Sequence, residues 1–128
     1  MRLLLDTNVL LWAKSQRARL GRHLATLEDP ANELFVSAVT AWEIAVKFAL
    51  GKLALPEPPE TYVPDRVRAT GASSLAIEQS HALAVGRLPN LHRDPFDRLL
   101  VAQADCLGLT IITGDPKIAA YPVDTILV

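Results

Sequence analysis

Four acidic residues, Asp6, Glu43, Asp97 and Asp115, stand where short apolar runs give way to turns or helix starts. Carboxylates gathered at one point repel one another, and a hard cation that takes oxygen ligands removes that repulsion. Mg²⁺ or Mn²⁺ held in this way lowers the pKa of a bound water, orients it in line with a phosphorus atom and neutralises charge on the leaving oxygen. The chemistry that suits such a set is hydrolysis of a phosphodiester. A plainer reading competes at each position, because capping and the helix dipole both favour acids in the first turn of a helix. Thr40-Ala-Trp-Glu43 fits a capping box, Asp94-Pro-Phe-Asp97 resembles one, and Asp115-Pro116 makes a good N-cap with proline at N1. Capping leaves two things unexplained: Asp6 ends an apolar run with no evident need for charge, and Asp94 already caps the helix that carries Asp97. Geometry separates the two readings. Caps point back at the amides of their own helices, whereas ligands bring oxygens from different elements around one point.

The elements that must position these acids alternate between strand and helix. Leu3 to Leu5 reads as a buried strand, turned by Asp6-Thr7-Asn8 into a helix over Val9 to Lys14; a further helix covers Arg17 to Leu27 until Asp29-Pro30 breaks it. Leu34 to Val39 predicts a second strand. Ala41, Ile44, Ala45 and Phe48 recur at i, i+3, i+4 and i+7, the stripe of a core-facing helix that Gly51 stops, and Glu43 falls in its first turn. Pro56 to Pro64 predicts an exposed loop, with helix able to run over Glu60 to Ala69 around Pro64. Ser74 to Ile77 is a strand candidate, Glu78 to Arg87 is helical and Leu88 to Arg93 is a loop. Asp94-Pro95 opens a helix that buries Phe96, Leu99, Leu100, Ala104 and Leu107 and ends at Gly108. Leu109 to Ile112 and Thr125 to Val128 supply the last strands. This α/β order predicts a three-layer α/β/α sandwich with a central parallel sheet of about five short strands. Sites in such sheets form outside the carboxyl ends of the strands, the edge to which all four acids map.

The chain's 128 residues, half of them hydrophobic, predict a single domain over residues 1–128. No apolar run approaches the roughly 18 uncharged residues of a membrane span, and Asp6 interrupts the first leucines, so neither an anchor nor a signal peptide is expected. Cys106 has no partner within the chain and falls in an apolar helical pattern. It reads as a small buried hydrophobe in a protein of a reducing, cytoplasmic compartment. The net charge of −1 means that a nucleic-acid substrate must be argued from local charge. Arg17, Arg19 and Arg22, and again Arg66 and Arg68, read as solvated helix faces. Arg87, His92, Arg93 and Arg98 flank two of the acids, and Arg93 and Arg98 are the candidate phosphate contacts. His23, His81 and His92 lack zinc spacing and read as surface or loop residues; Gly86, Gly108 and Gly114 are isolated and form no phosphate loop. Lys47 reads as the i, i+4 partner of Glu43, and Trp12 and Trp42 as core residues.

Four blocks, in order, carry a resemblance that covers nearly the whole chain. Leu-Leu-Leu-Asp6-Thr7-Asn8-Val9-Leu, Ser37-Ala-Val-Thr-Ala-Trp-Glu43-Ile, His92-Arg-Asp94-Pro-Phe-Asp97-Arg98-Leu-Leu-Val-Ala and Ile-Thr113-Gly-Asp115 together resemble a PIN-domain ribonuclease toxin of the VapC type. The resemblance implies a PIN-like fold, an RNA substrate, and a Mg²⁺- or Mn²⁺-dependent endoribonuclease that is the toxin of a type II toxin–antitoxin pair. It implies as partners a VapB-type antitoxin, whose tail wraps an apolar groove and reaches the acidic pocket, together with a homodimer and a toxin–antitoxin hetero-oligomer. It assigns Asp6, Glu43, Asp97 and Asp115 to the metal, Asp94 to a neighbouring acid, and Thr7, Asn8, Ser37 and Thr113 to small polar groups close by. Two other classes stay open. A phosphatase with an aspartyl nucleophile also begins with an apolar run and Asp-Thr, but needs a second acid two residues on, where this chain has Asn8. A PIN-like module that binds RNA or a partner without cutting is disfavoured by the presence of all four acids.

Overall fold

The alternation of apolar runs resolves into five strands and seven α-helices in a computed structural model that describes every residue from Met1 to Val128. β1 (Arg2–Leu5) is followed by α1 (Thr7–Ser15) and α2 (Leu24–Glu28), β2 (Glu33–Ser37) by α3 (Ala38–Ala49) and α4 (Pro59–Thr70). β3 (Ser73–Leu75) leads to α5 (Gln79–Ala84) and α6 (Pro95–Leu107), and β4 (Thr110–Thr113) to α7 (Pro116–Ala119) and β5 (Thr125–Leu127). All strand pairs are parallel, in the order β3-β2-β1-β4-β5. The chain winds from β1 outward to β3 on one side, then returns to β4 and β5 on the other. The crevice between the carboxyl ends of β1 and β4 is therefore the switch point where such sheets place their sites.

Burial on both faces explains the uninterrupted leucines of β1. Leu3 and Leu5 join Leu34, Val36 and Ile112 beneath α1 and α2, while Leu4 and Ile111 face Val39 of α3 and Leu100, Val101 and Ala104 of α6. A third cluster of Ile44, Tyr62 and Val63 joins α3 to α4. Gln103 on α6 is fully enclosed; it accepts a hydrogen bond from the Ser37 hydroxyl and donates to the Ala76 carbonyl at 3.1 Å. It joins the end of β2 to the segment after β3, so its burial is compensated.

Several local expectations are corrected. Residues 17–23 form two short 3₁₀ turns on either side of a kink at Gly21, whose φ of 51° interrupts the helix expected over Arg17 to Leu27. The helix allowed over Glu60 to Ala69 does form, as α4, with Pro59 opening it and Pro64 accommodated inside, so the proline-rich loop ends earlier than Pro64. α3 starts earlier than expected, at Ala38, with Ser37 as its cap, and it buries Val39, Thr40, Glu43 and Ile44. Ala45, Phe48 and Trp42 are consequently exposed, Trp42 at 49% and packed edge-on against Phe96 at 4.5 Å. Cys106 is exposed on α6 rather than buried, since the apolar face of that helix turns away from it. No helix is long and apolar enough to cross a membrane.

Candidate active site

Three of the acids stand at helix starts and one does not. Asp6 follows β1 and caps α1, its Oδ1 accepting from the Thr7 amide at 2.7 Å; its Oδ2 accepts from the Thr113 hydroxyl at 2.7 Å. The Asp6 amide donates to Ile112 at the end of β4, so the residue is locked into the sheet. Asp115 follows β4 and caps α7 with Oδ1, which accepts from the Lys117 amide at 2.9 Å. Asp97 lies in the first turn of α6, whose cap is Asp94: one Asp94 oxygen accepts from the amides of Phe96 and Asp97 at 2.8 and 3.2 Å. Glu43 lies in the second turn of α3, so the expected capping box with Thr40 does not form. The Thr7 hydroxyl donates to Glu43 Oε1 at 2.6 Å, with the Thr40 hydroxyl 3.2 Å from it, and Lys47 pairs with Oε2.

Asp97 is where these groups meet. One set of oxygens from Glu43, Asp94 and Asp97 lies within 4.8 Å of one another, and so does a second set of Asp97 and Asp115 with a His92 ring nitrogen. Asp6 stands outside both sets, with both its oxygens hydrogen-bonded, yet its charge is among those that act on Asp97. Burial pushes the Asp97 carboxyl up to about 8, with Asp6, Asp94, Glu43 and Asp115 adding repulsion. Burial likewise raises Asp6 to about 6, against hydrogen bonds from Thr113 and Thr7 that pull it down, with Glu43 and Asp115 pushing upward. Burial lowers the Lys47 ammonium, but its hydrogen bond to Glu43 and the charges of Glu43, Asp94 and Asp97 outweigh this and hold it above its usual range.

The supporting residues divide by what they touch. Thr7 and Thr113 hold Glu43 and Asp6 directly, and Thr113 also accepts from the Asp115 amide at 3.0 Å. Asn8 is exposed and makes no side-chain hydrogen bond. Ser37, expected near the acids, instead turns its hydroxyl to Gln103. Arg98, expected at a phosphate, is a brace: its guanidinium donates to the carbonyls of Pro89 and Val85 and to the Tyr121 hydroxyl, at 2.9 to 3.2 Å. Arg93 is exposed, and with Asn90, His92, Asp94 and Lys117 it lines a cleft of about 600 Å³ against the acids. Lys117 joins this group with no signal in the local sequence, whereas His92 and Arg93 are both among the basic residues that flank the acids there. His81 is buried rather than at the surface, its Nδ1 accepting from the Glu78 amide at 3.0 Å. A larger cleft of about 660 Å³, between the carboxyl ends of α2 and α4, contains none of the acids.

The carboxylates suit a divalent cation, being crowded enough to hold a proton at Asp97, and beside them lies the buried His92 Nε2, aligned for a hydrogen bond with none of them. A PIN-domain family model matches residues 3–123, and the chain belongs to the PIN-domain family. Over 57 residues it is 47% identical to a protein named Ribonuclease VapC16 from Mycobacterium tuberculosis (strain ATCC 25618 / H37Rv). That match spans 44% of this chain and 40% of the relative's length. Among solved structures, VapBC2 from Rickettsia felis bound to a promoter DNA fragment superposes with a TM-score of 0.72 at 15% identity, covering 99% of this chain and 98% of that one. A toxin–antitoxin complex from Klebsiella pneumoniae superposes with a TM-score of 0.65 at 21% identity, covering 97% and 95%. These likenesses establish a PIN-like α/β/α fold.

Crowded acids give the stability of the metal-free chain a definite dependence on pH. Asp6 and Asp97 titrate above the usual 3.8, so the folded state keeps protons that the unfolded chain releases. This contribution to stability is complete below about pH 4 and is lost as pH rises through 6 and then 8. In EDTA, the melting temperature is expected to fall by roughly 5 °C or more between pH 5.5 and 8.5, and Asp97→Asn to flatten that fall. An Asp97→Asn chain that loses stability as steeply as the wild type would rule out repulsion at Asp97 as the cause.

Proposed function

We propose that this chain is a metal-dependent endoribonuclease that acts as the toxin of a toxin–antitoxin pair. The observation that carries the reading is the meeting of carboxylates from separate elements at Asp97, on the switch-point edge of the sheet. The names of the relative and of the structural neighbours point the same way, the one a ribonuclease and the others VapBC and toxin–antitoxin complexes.

In this reading Glu43, Asp97 and Asp115 hold the ion, with Asp6 beside them to deepen the negative field, and Asp94 sets the start of α6 from which Asp97 projects. A bound Mg²⁺ or Mn²⁺ would acidify an attacking water and offset the charge that builds on the phosphate. The chain's own task is to hold the carboxylates rigid, to release the proton of Asp97 when the ion enters, and to bring the RNA backbone past a strongly negative centre. Arg93 and Lys117 on the flanking cleft serve the last of these, since neither is paired within the chain. The exposed rings of Trp42 and Phe48 on α3, with Trp42 against Phe96, offer an apolar surface next to the acids for an antitoxin tail. The aspartyl-phosphatase alternative loses ground, because both oxygens of Asp6 accept hydrogen bonds and Asn8 occupies the position of its general acid.

The purified chain is expected to cut RNA when Mg²⁺ or Mn²⁺ is supplied and to stop in EDTA. Asp97→Asn should lower the rate by about 10²-fold or more, the scale for removing an electrostatic group at a reacting centre. Induced in a host without its partner, the wild-type chain should arrest growth and Asp97→Asn should not. Full cleavage by Asp97→Asn, or cleavage indifferent to EDTA, would contradict the reading. In RNA-binding titrations run in EDTA, Arg93→Ala with Lys117→Ala is expected to reduce the log–log salt slope by about 1.4, or 0.7 for each lost single-strand phosphate contact. An unchanged slope would place the RNA elsewhere.

A further inference from the structure

His92 has no part in the function just described, yet it lies in the middle of the acids. It belongs to the loop before α6, where Asp94 begins the helix. Its Nε2 lies 2.8 Å from Asp97 Oδ2 and 3.3 Å from Asp115 Oδ2. The atom is buried and is aligned for a hydrogen bond with neither oxygen. Such a ring nitrogen turns its lone pair, or an N–H that is aligned with neither acceptor, towards the space between two carboxylates, where a cation would sit. Nε2 and the two carboxylate oxygens lie within 4.8 Å of one another, and the side chains converge from the loop, from α6 and from the turn after β4. Convergence of ligand atoms from separate elements distinguishes a site from a run of helix caps.

We propose that His92 ligates the divalent ion through Nε2, making one wall of the centre a nitrogen–oxygen set of His92, Asp97 and Asp115. The inference rests on the metal-centre reading above and adds to it a choice of ion. The opposite wall, Glu43 and Asp94, shares Asp97 with the first and offers oxygen alone. Mg²⁺ takes oxygen ligands and retains its waters, whereas imidazole suits first-row transition ions, whose affinity for mixed nitrogen and oxygen sets rises from Mn²⁺ towards Co²⁺ and Ni²⁺. The centre therefore prefers Mn²⁺ to Mg²⁺ and takes Co²⁺ more tightly still. Ligation through Nε2 puts the ring proton on Nδ1, which now accepts from the Asp94 amide at 3.4 Å. That contact lies beyond the usual hydrogen-bond range and is readily given up.

The test is electron spin-echo envelope modulation on the tag-free chain loaded with Mn²⁺, paired with calorimetric titrations of Mn²⁺ and Mg²⁺. The wild type should show ¹⁴N modulation from a directly bound imidazole, absent from both His92→Ala and His92→Gln. The ratio of Mn²⁺ to Mg²⁺ affinity should fall on the order of tenfold in both variants, the lower end of the range seen when a supporting group is removed from a metal site. Circular dichroism identifies a variant that has unfolded, and the wild-type spectrum alone then decides. Tight Mn²⁺ binding without ¹⁴N modulation, or modulation that survives in a folded His92 variant, overturns the assignment while the metal centre stands. Failure of the wild type to bind Mn²⁺ at all overturns both.

Discussion

Repulsion among carboxylates at the mouth of the β1/β4 crevice is the constraint on which the rest of this structure depends. A carboxyl held at about 8 in a folded chain is a destabilising group at neutral pH. The packing of β1, β4, α3 and α6 must hold it in place against that cost. The acids lie above buried layers that leave them little freedom: Leu4 and Ile111 beneath α3 and α6, Leu5 and Ile112 beneath α1. A divalent cation bound there would relieve the repulsion, so that in the proposed reading one arrangement is both a weakness in the metal-free chain and a centre for metal.

Capping and metal binding began as rival explanations of the same residues; at Asp115 one carboxylate has an oxygen for each, whereas both oxygens of Asp6 are taken by hydrogen bonds. Asp6 and Asp115 each give Oδ1 to a helix amide and leave Oδ2 to face the crevice, where Thr113 meets one and His92 approaches the other. The cap is thus the device that fixes the orientation of the carboxylate. Asp94 acts one step removed, since its cap sets the first turn of α6 and with it the direction of Asp97. Glu43 is the exception. Lying beyond the first turn of α3, it is aimed by the Thr7 hydroxyl and by Lys47, which ties its orientation to α1 as well as to its own helix.

The layout of the sheet was legible in the sequence because it is written in short-range pattern: three buried leucines ending in an acid, Asp-Pro at two helix starts, and an apolar Leu-Phe-Val run before α3. The edge on which the acids gather followed from the parallel order of the strands. What could not be read were features decided by contacts between distant elements. The helix stripe drawn through Phe48 was displaced because α3 begins at Ala38, and a shift of three residues turns a different face inward. Arg98 looked like a free cation and is held by three oxygens from the loop before α6 and the segment after α7. His92 showed no metal spacing, since its partners Asp97 and Asp115 are brought to it by the loop and by β4. Residue type suggested these groups; only the fold could say which oxygens they meet.

The central claim, that these carboxylates form one centre for a divalent cation, is tested most directly by crystals of the wild-type chain grown or soaked with Mn²⁺ and measured at a wavelength where manganese scatters anomalously. An anomalous peak is expected within about 2.2 Å of an Asp97 oxygen, with oxygens of Glu43 or Asp115 on the same ion. A map with no peak in the crevice, or with manganese bound only at carboxylates elsewhere on the surface, would contradict it.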